Sequence, residues 1–176
     1  MILPFSIQLN GKPTYFVEKI LKGLAENNLI THEEWSYRMC PAPVVKYPTA
    51  YGFIFDMTID LKPKIHTIRE DKNDRWKRGT KIDFFINCRQ KNMFRFAPVL
   101  PVVSVQKVYM SYKFNDVIEI SVGEKLLFGH HERLQFSQND GFDTWEDFFN
   151  YFYPLIKAAP NNFLKMKLIH WTDLKY

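Results

Sequence analysis

The stretch from Lys81 to Arg89 constrains the fold more than any other. Ile82, Phe84, Ile86 and Cys88 alternate with Asp83, Phe85, Asn87 and Arg89. Successive side chains of a strand point to opposite faces of a sheet, so this is a strand with one wholly apolar face that a second layer must cover. Val103, Val105 and Val108 read as another strand and Val117 to Val122 as a third, with Gly123-Glu124 turning the chain into Lys125 to Phe128. Phe163 to Trp171 alternates again and reads as a closing strand.

Before about residue 50 the period is helical. Phe16, Val17, Ile20, Leu21 and Leu24 share one helical face, with Thr14 as the expected cap and an end near Asn27-Asn28. Thr31-His32-Glu33-Glu34 has the form of a capping box and opens a short helix to about Met39. Cys40-Pro41-Ala42-Pro43 stops that helix, and residues 41–50 form a proline-punctuated connection. Between the last two strands, Thr144 and Asp147 open a strong helix whose apolar face is Trp145, Phe148, Phe149, Phe152, Leu155 and Ile156, with Pro154 expected to kink or shorten it. Helices, strands, helix, strand is the order of an α+β domain, here with a mostly antiparallel sheet curled towards a small barrel.

Of the 176 residues, 46% are hydrophobic and 16% aromatic, which supplies a core and excludes a disordered chain. No run reaches the ~18 apolar residues of a membrane span. The most apolar stretch, Phe96 to Val105, is broken by Pro98 and Pro101. The first residues carry Pro4 and no basic group ahead of their apolar portion, so they read as mature protein and not as a signal peptide. Cys40 and Cys88 are far apart and are expected as buried thiols in a reducing cytosol.

The net charge of +5 conceals a concentrated segment. Lys62, Lys64, Arg69, Lys72, Arg75, Lys77, Arg78, Lys81, Arg89, Lys91 and Arg95 face only Glu70, Asp71, Asp74 and Asp83 between residues 62 and 95, a balance of +7. Trp76 lies inside it. Basic groups beside an exposed aromatic make a surface for phosphates and stacked bases, whereas a Trp76 tucked into the core would leave a merely solvated loop.

That segment contains Lys64-Ile65-His66-Thr67-Ile68-Arg69-Glu70, then Trp76-Lys77-Arg78-Gly79 and the strand from Lys81. Asn139-Asp140-Gly141-Phe142 follows much later, ahead of the Trp145 helix. The series resembles the ASCH domains of the PUA-like superfamily, over roughly residues 55 to 171. The resemblance implies a PUA-like pseudobarrel with flanking helices over 51–176, and the first 50 residues are a helical extension expected to pack on it. It also implies binding of RNA or a modified nucleoside in a basic cleft. That cleft would lie around Lys64, Thr67 and Arg69, with His66 beside it and, from the charged segment, Lys72, Arg75, Trp76, Lys77 and Arg78 as further binding groups.

One ASCH subgroup hydrolyses the acetyl amide of acetylcytidine. By that resemblance Thr67 would be the nucleophile, Lys64 its base and Asp140 the supporting carboxylate, where the subgroup has glutamate. A threonine hydroxyl needs such a base at neutral pH, and a lysine serves as one only when its pKa is lowered. Lys64 and Thr67, three apart, converge only if Pro63-Lys64-Ile65 bends. Glu132 is a further candidate carboxylate. A protein-interaction module docking through Phe16, Ile20 and Leu24 is a third possibility. His130-His131 lacks zinc-type ligand spacing, so no metal and no cofactor is expected.

Overall fold

The computed structural model describes residues 1–39, 61–112 and 118–176. Cys40, the connection 41–50 and Val117 lie outside them. Along the described chain come β1 (Ile2–Phe5), β2 (Gln8–Leu9), β3 (Lys12–Pro13), α1 (Phe16–Glu26), α2 (His32–Met39), β4 (His66–Arg69), β5 (Lys81–Ile86), β6 (Phe94–Arg95), β7 (Leu100–Pro101), β8 (Ser104–Tyr112), β9 (Ile118–Val122), β10 (Lys125–Leu126), α3 (His130–Asn139), α4 (Trp145–Ala158) and β11 (Phe163–His170). The class is α+β, and no sheet among the described residues closes into a barrel.

The chain divides into two compact units. The first joins Met1–Lys64 to Lys81–Leu100. Its sheet runs β1-β5-β6, and β1 lies parallel to β5 with Leu3 beside Phe84 and Phe5 beside Ile86. This strand goes beyond the expected helical N-terminus. In β1 the buried Leu3 and Phe5 alternate with the exposed Ile2 and Pro4, the same period that makes β5 a strand. Pro4 has no N–H to offer, and β1 is an edge strand, where that loss is tolerated. Phe5 stacks on Phe84 at 6.0 Å and meets Phe96 edge-on at 5.8 Å.

α1 starts differently from the expectation. Tyr15 occupies the cap position at φ 51°, while the Thr14 hydroxyl donates to the Ser6 carbonyl at 2.7 Å. Thr31 does cap α2, accepting from the Glu34 N–H at 3.0 Å, but the Glu34 carboxylate pairs with Arg38 instead of closing the box. Ile20 and Leu24 are fully buried and Phe16 is half-buried, so the proposed docking face is core.

The second unit joins Ile65–Thr80 to Pro101–Tyr176 around an antiparallel sheet of order β10-β9-β8-β11-β4. Val108, Met110, Ile120, Val122 and Leu168 are buried in its core, with Phe136 of α3 and Phe148, Phe152 and Ile156 of α4. Thr144 caps α4 as its sequence predicts, accepting from the Asp147 N–H at 3.1 Å. Pro154 does not end the helix, which runs on to Ala158. Asn150 and Pro154 are both exposed, so the carbonyl that proline leaves without its helical partner is on the solvent side of the helix. α3 has no counterpart in the expected elements, because its ten residues bring few apolar side chains and only Phe136 and Ser137 are buried.

Candidate functional site

The second unit holds most of the predicted site, and β4 distributes it. β4 pairs with β11 so that Thr67 lies opposite Ile169 and Arg69 opposite Lys167, while His66 lies opposite His170 and Ile68 opposite Leu168. Facing residues share a side of a sheet and neighbours alternate. Thr67 and Arg69 therefore occupy one face and His66 the other. Thr67 is buried at 3% exposure and Arg69 is half-buried. Burial pushes the Arg69 pKa down from its ordinary value, against the opposing pull of Asp140 and Tyr151.

The loop after β4 is organised by Asp71. Its carboxylate accepts from the N–H of Arg75 at 3.0 Å, from the N–H of Trp76 at 2.9 Å and from the Lys167 ammonium at 3.0 Å. Lys167 also pairs with Asp74. Burial opposes the Asp71 charge, but the N–H groups of Trp76 and Arg75 and the Lys167 ammonium outweigh it and hold its pKa below the usual carboxylate range. Lys167 is raised in turn: burial acts against its charge, and the two aspartates prevail. This turn directs Trp76 inwards, to 6% exposure, so the expected stacking platform is core. Lys72, Arg75, Lys77 and Arg78 are all exposed. Lys72 and Lys77 pair with the exposed acids Glu70 at 3.2 Å and Asp74 at 3.9 Å, and Arg75 lies 4.0 Å from the buried Asp71 carboxylate.

The +7 segment is divided between the units. The second unit takes five of its bases and three of its acids, +2, and the first takes six bases and one acid, +5. Lys64 belongs to the first unit. It is 1% exposed, its N–H donates to the Lys19 carbonyl at 2.9 Å, and its ammonium lies 4.8 Å from the centre of the Phe16 ring and 5.9 Å from that of Phe5. The chain at Lys64 is not strand, since β4 begins at His66.

Asp140 follows α3 at its C-terminal cap and is not at the start of α4. It is buried, and its Oδ1 accepts from the Ile68 N–H at 2.9 Å, which ties it to the open edge of β4. The same oxygen is 3.7 Å from His66 Nδ1. Gly141 supplies the turn that follows, at φ +96°. Glu132 is remote in role: it pairs with Lys125 at 3.3 Å and accepts from the Phe128 N–H at the start of α3. Cys88 is half-buried and carries a free thiol. Among the described residues no group of three or more His, Cys, Asp or Glu is arranged to hold a metal, and no helix is long and apolar enough to cross a membrane.

His66 leads to residues that the motif does not announce. Its Nε2 is 2.7 Å from the Tyr176 hydroxyl, which also accepts from Asn139 Nδ2 at 2.8 Å. His170 is fully buried beside them, its ring centre 5.4 Å from that of His66. Burial, then His66 and Lys175, lower its pKa from 6.5 to about 3, so its ring is neutral at pH 7. The signal in the sequence was slight: one histidine at the end of a closing strand and one tyrosine six residues on. No family model, curated protein or solved structure matches this chain.

Proposed function

We propose that the chain carries an ASCH-like domain of PUA-like type that binds RNA or a modified nucleoside, gripping phosphates with the loop that follows β4. The observation that carries this reading is the conformation of that loop. Asp71 fixes its backbone from within, the buried Trp76 anchors it without offering a stacking surface, and Lys72, Arg75, Lys77 and Arg78 project into solvent next to the strand bearing Thr67 and Arg69, which leaves phosphates as the groups the loop can hold. The Lys72–Glu70 and Lys77–Asp74 pairs are surface pairs worth about 0–1 kcal/mol each, which a phosphate readily replaces. The antiparallel sheet with its helices, the Lys64–Glu70 segment around β4 and the Asp140-Gly141 turn ahead of α4 come in the order of that family's pattern.

The test is titration of a fluorescent single-stranded RNA at several salt concentrations. Four phosphate contacts give a slope of about −3 in log affinity against log salt, or about fiftyfold between 50 and 200 mM. Replacing Arg75 and Arg78 by alanine should lower both affinity and slope. No binding, or a flat salt dependence, overturns the proposal. Cleavage of acetylcytidine that disappears in Thr67→Ala would replace it with the hydrolase.

A further inference from the structure

The face of the second unit's sheet opposite Thr67 has a polar row where a core is due. His66, His170 and Ser104 lie side by side across β4, β11 and β8, on the same face as Ile68, Leu168 and Gln106. Against this row sits the ring of Tyr176. It meets Phe136 edge-on at 5.1 Å, His66 edge-on at 5.5 Å and His170 tilted at 6.1 Å. Its hydroxyl is held by His66 and Asn139, and its backbone by both ends of the Gln106 amide, at 3.2 Å each.

The lining holds more polar capacity than a phenol uses. Both ring nitrogens of His170 and the Ser104 hydroxyl are buried without a hydrogen-bond partner among the described residues. His170 is itself fully buried. An unpaired buried polar atom costs about 1–3 kcal/mol, so a pocket meant only to pack a tyrosine would be lined with apolar groups. Aromatic walls with several spare donors and acceptors suit a flat ring that is polar along more of its edge than tyrosine. A neutral His170 adds one donor and one acceptor.

We infer that this pocket is a binding site for a single-ring nucleobase and that Tyr176 is an internal occupant which the base displaces. The ring walls would be Phe136, His66 and His170, and the edge would be read by Asn139, His170 and Ser104. This rests on the RNA or nucleoside reading for the identity of the ring, and adds to it the place of the base and its competitor. The backbone clamp through Gln106 is hydrogen-bonded and partly buried, so water can replace its polar contacts when Tyr176 is released, and the incoming base takes over the ring contacts with Phe136, His66 and His170.

Calorimetric titration of cytidine and uridine into the wild type, Tyr176→Phe and Tyr176→Ala tests it, with ribose 5-phosphate as the base-free control. The expected result is an affinity at least tenfold higher in Tyr176→Ala and several-fold higher in Tyr176→Phe, with no gain for ribose 5-phosphate. Adding His170→Ala to Tyr176→Phe should abolish the gain. Tyr176→Phe keeps the ring in place, so it serves if the alanine variant does not fold. Equal or weaker nucleoside binding in the folded variants overturns the inference. Salt-sensitive RNA binding without a nucleoside gain removes this pocket alone. A nucleoside gain without salt-sensitive RNA binding upholds the pocket and removes the phosphate-gripping loop.

Discussion

Replacing Asp71 by alanine separates the shape of the cationic loop from its charge. The Asp71 side chain is 1% exposed and its carboxylate takes three hydrogen bonds. The Arg75 N–H lies at the surface, where water substitutes at a cost of about 0.5 kcal/mol. The Trp76 N–H is partly buried, and losing its acceptor costs about 1–2 kcal/mol. The Lys167 pair, largely screened, adds about 1 kcal/mol. Together the second unit should lose about 3 kcal/mol, a fall of about 1.5 M in urea midpoint for a slope of about 2 kcal/mol/M. The depressed pKa of Asp71 places this stabilisation above the unfolded carboxylate value of about 3.9, and it is lost as pH falls through the lower folded value. Measurement at pH 7 therefore reads all of it. The variant also gains one positive charge, so charge alone predicts tighter RNA binding. If the fixed loop matters, binding weakens instead while the salt slope stays near that of the wild type. A midpoint shift below about 0.5 M, or tighter RNA binding, would refute the reasoning.

Thr144→Ala should cost about 1 kcal/mol, since it removes the acceptor for the Asp147 N–H, while Thr144→Ser should cost little; equal urea midpoints for both variants would show that the cap contributes nothing. The buried His170 predicts an acid-side loss of stability. Its folded pKa of about 3 lies below the unfolded value of about 6.5, so the unfolded chain binds the proton first and stability, full above about 6.5, declines as pH falls towards 3. The limiting slope is about 1.4 kcal/mol per pH unit, with His66, Asp140, Tyr176 and Lys175 as the titratable neighbours, and His170→Gln should flatten it. Urea midpoints that do not change between pH 7 and pH 5 would contradict this.

What the sequence made legible is what local periodicity controls. The alternation at Ile82, Phe84 and Ile86, the Thr31 and Thr144 caps and the closing strand each depend on residues a few positions apart, and each forms. β1 was missed because Ile2-Leu3-Pro4-Phe5 is short, contains a proline and becomes a strand only through parallel pairing with residues some eighty positions away. α3 was missed because Phe136 and Ser137 are its only buried residues, too few to set a period. Trp76 looked exposed because charges surround it in sequence, but an aspartate five residues earlier turns its backbone inwards.

The heptapeptide Lys64 to Glu70 shows why a motif fixes chemistry less firmly than it fixes a strand. The resemblance implied one pocket holding an ammonium, a hydroxyl and a guanidinium, although the spacing of Lys64 and Thr67 required a bend. Strand pairing then sent His66 and Thr67 to opposite faces, and Lys64 precedes the strand with its N–H bound to Lys19 in the first unit. Asp140, expected as the supporting carboxylate, has its Oδ1 on the Ile68 N–H at the open edge of β4. A carboxylate already accepting a buried N–H at 2.9 Å is poorly placed to move towards a leaving group, because each displacement uncovers that donor. The same bond makes it a good fixed post: Asp140 holds Ile68 of β4, and Asp71, two residues past the strand, holds the loop at the N–H groups of Arg75 and Trp76. Such a frame suits a site that binds by presenting fixed groups, which is why the binding reading is preferred here to the hydrolytic one.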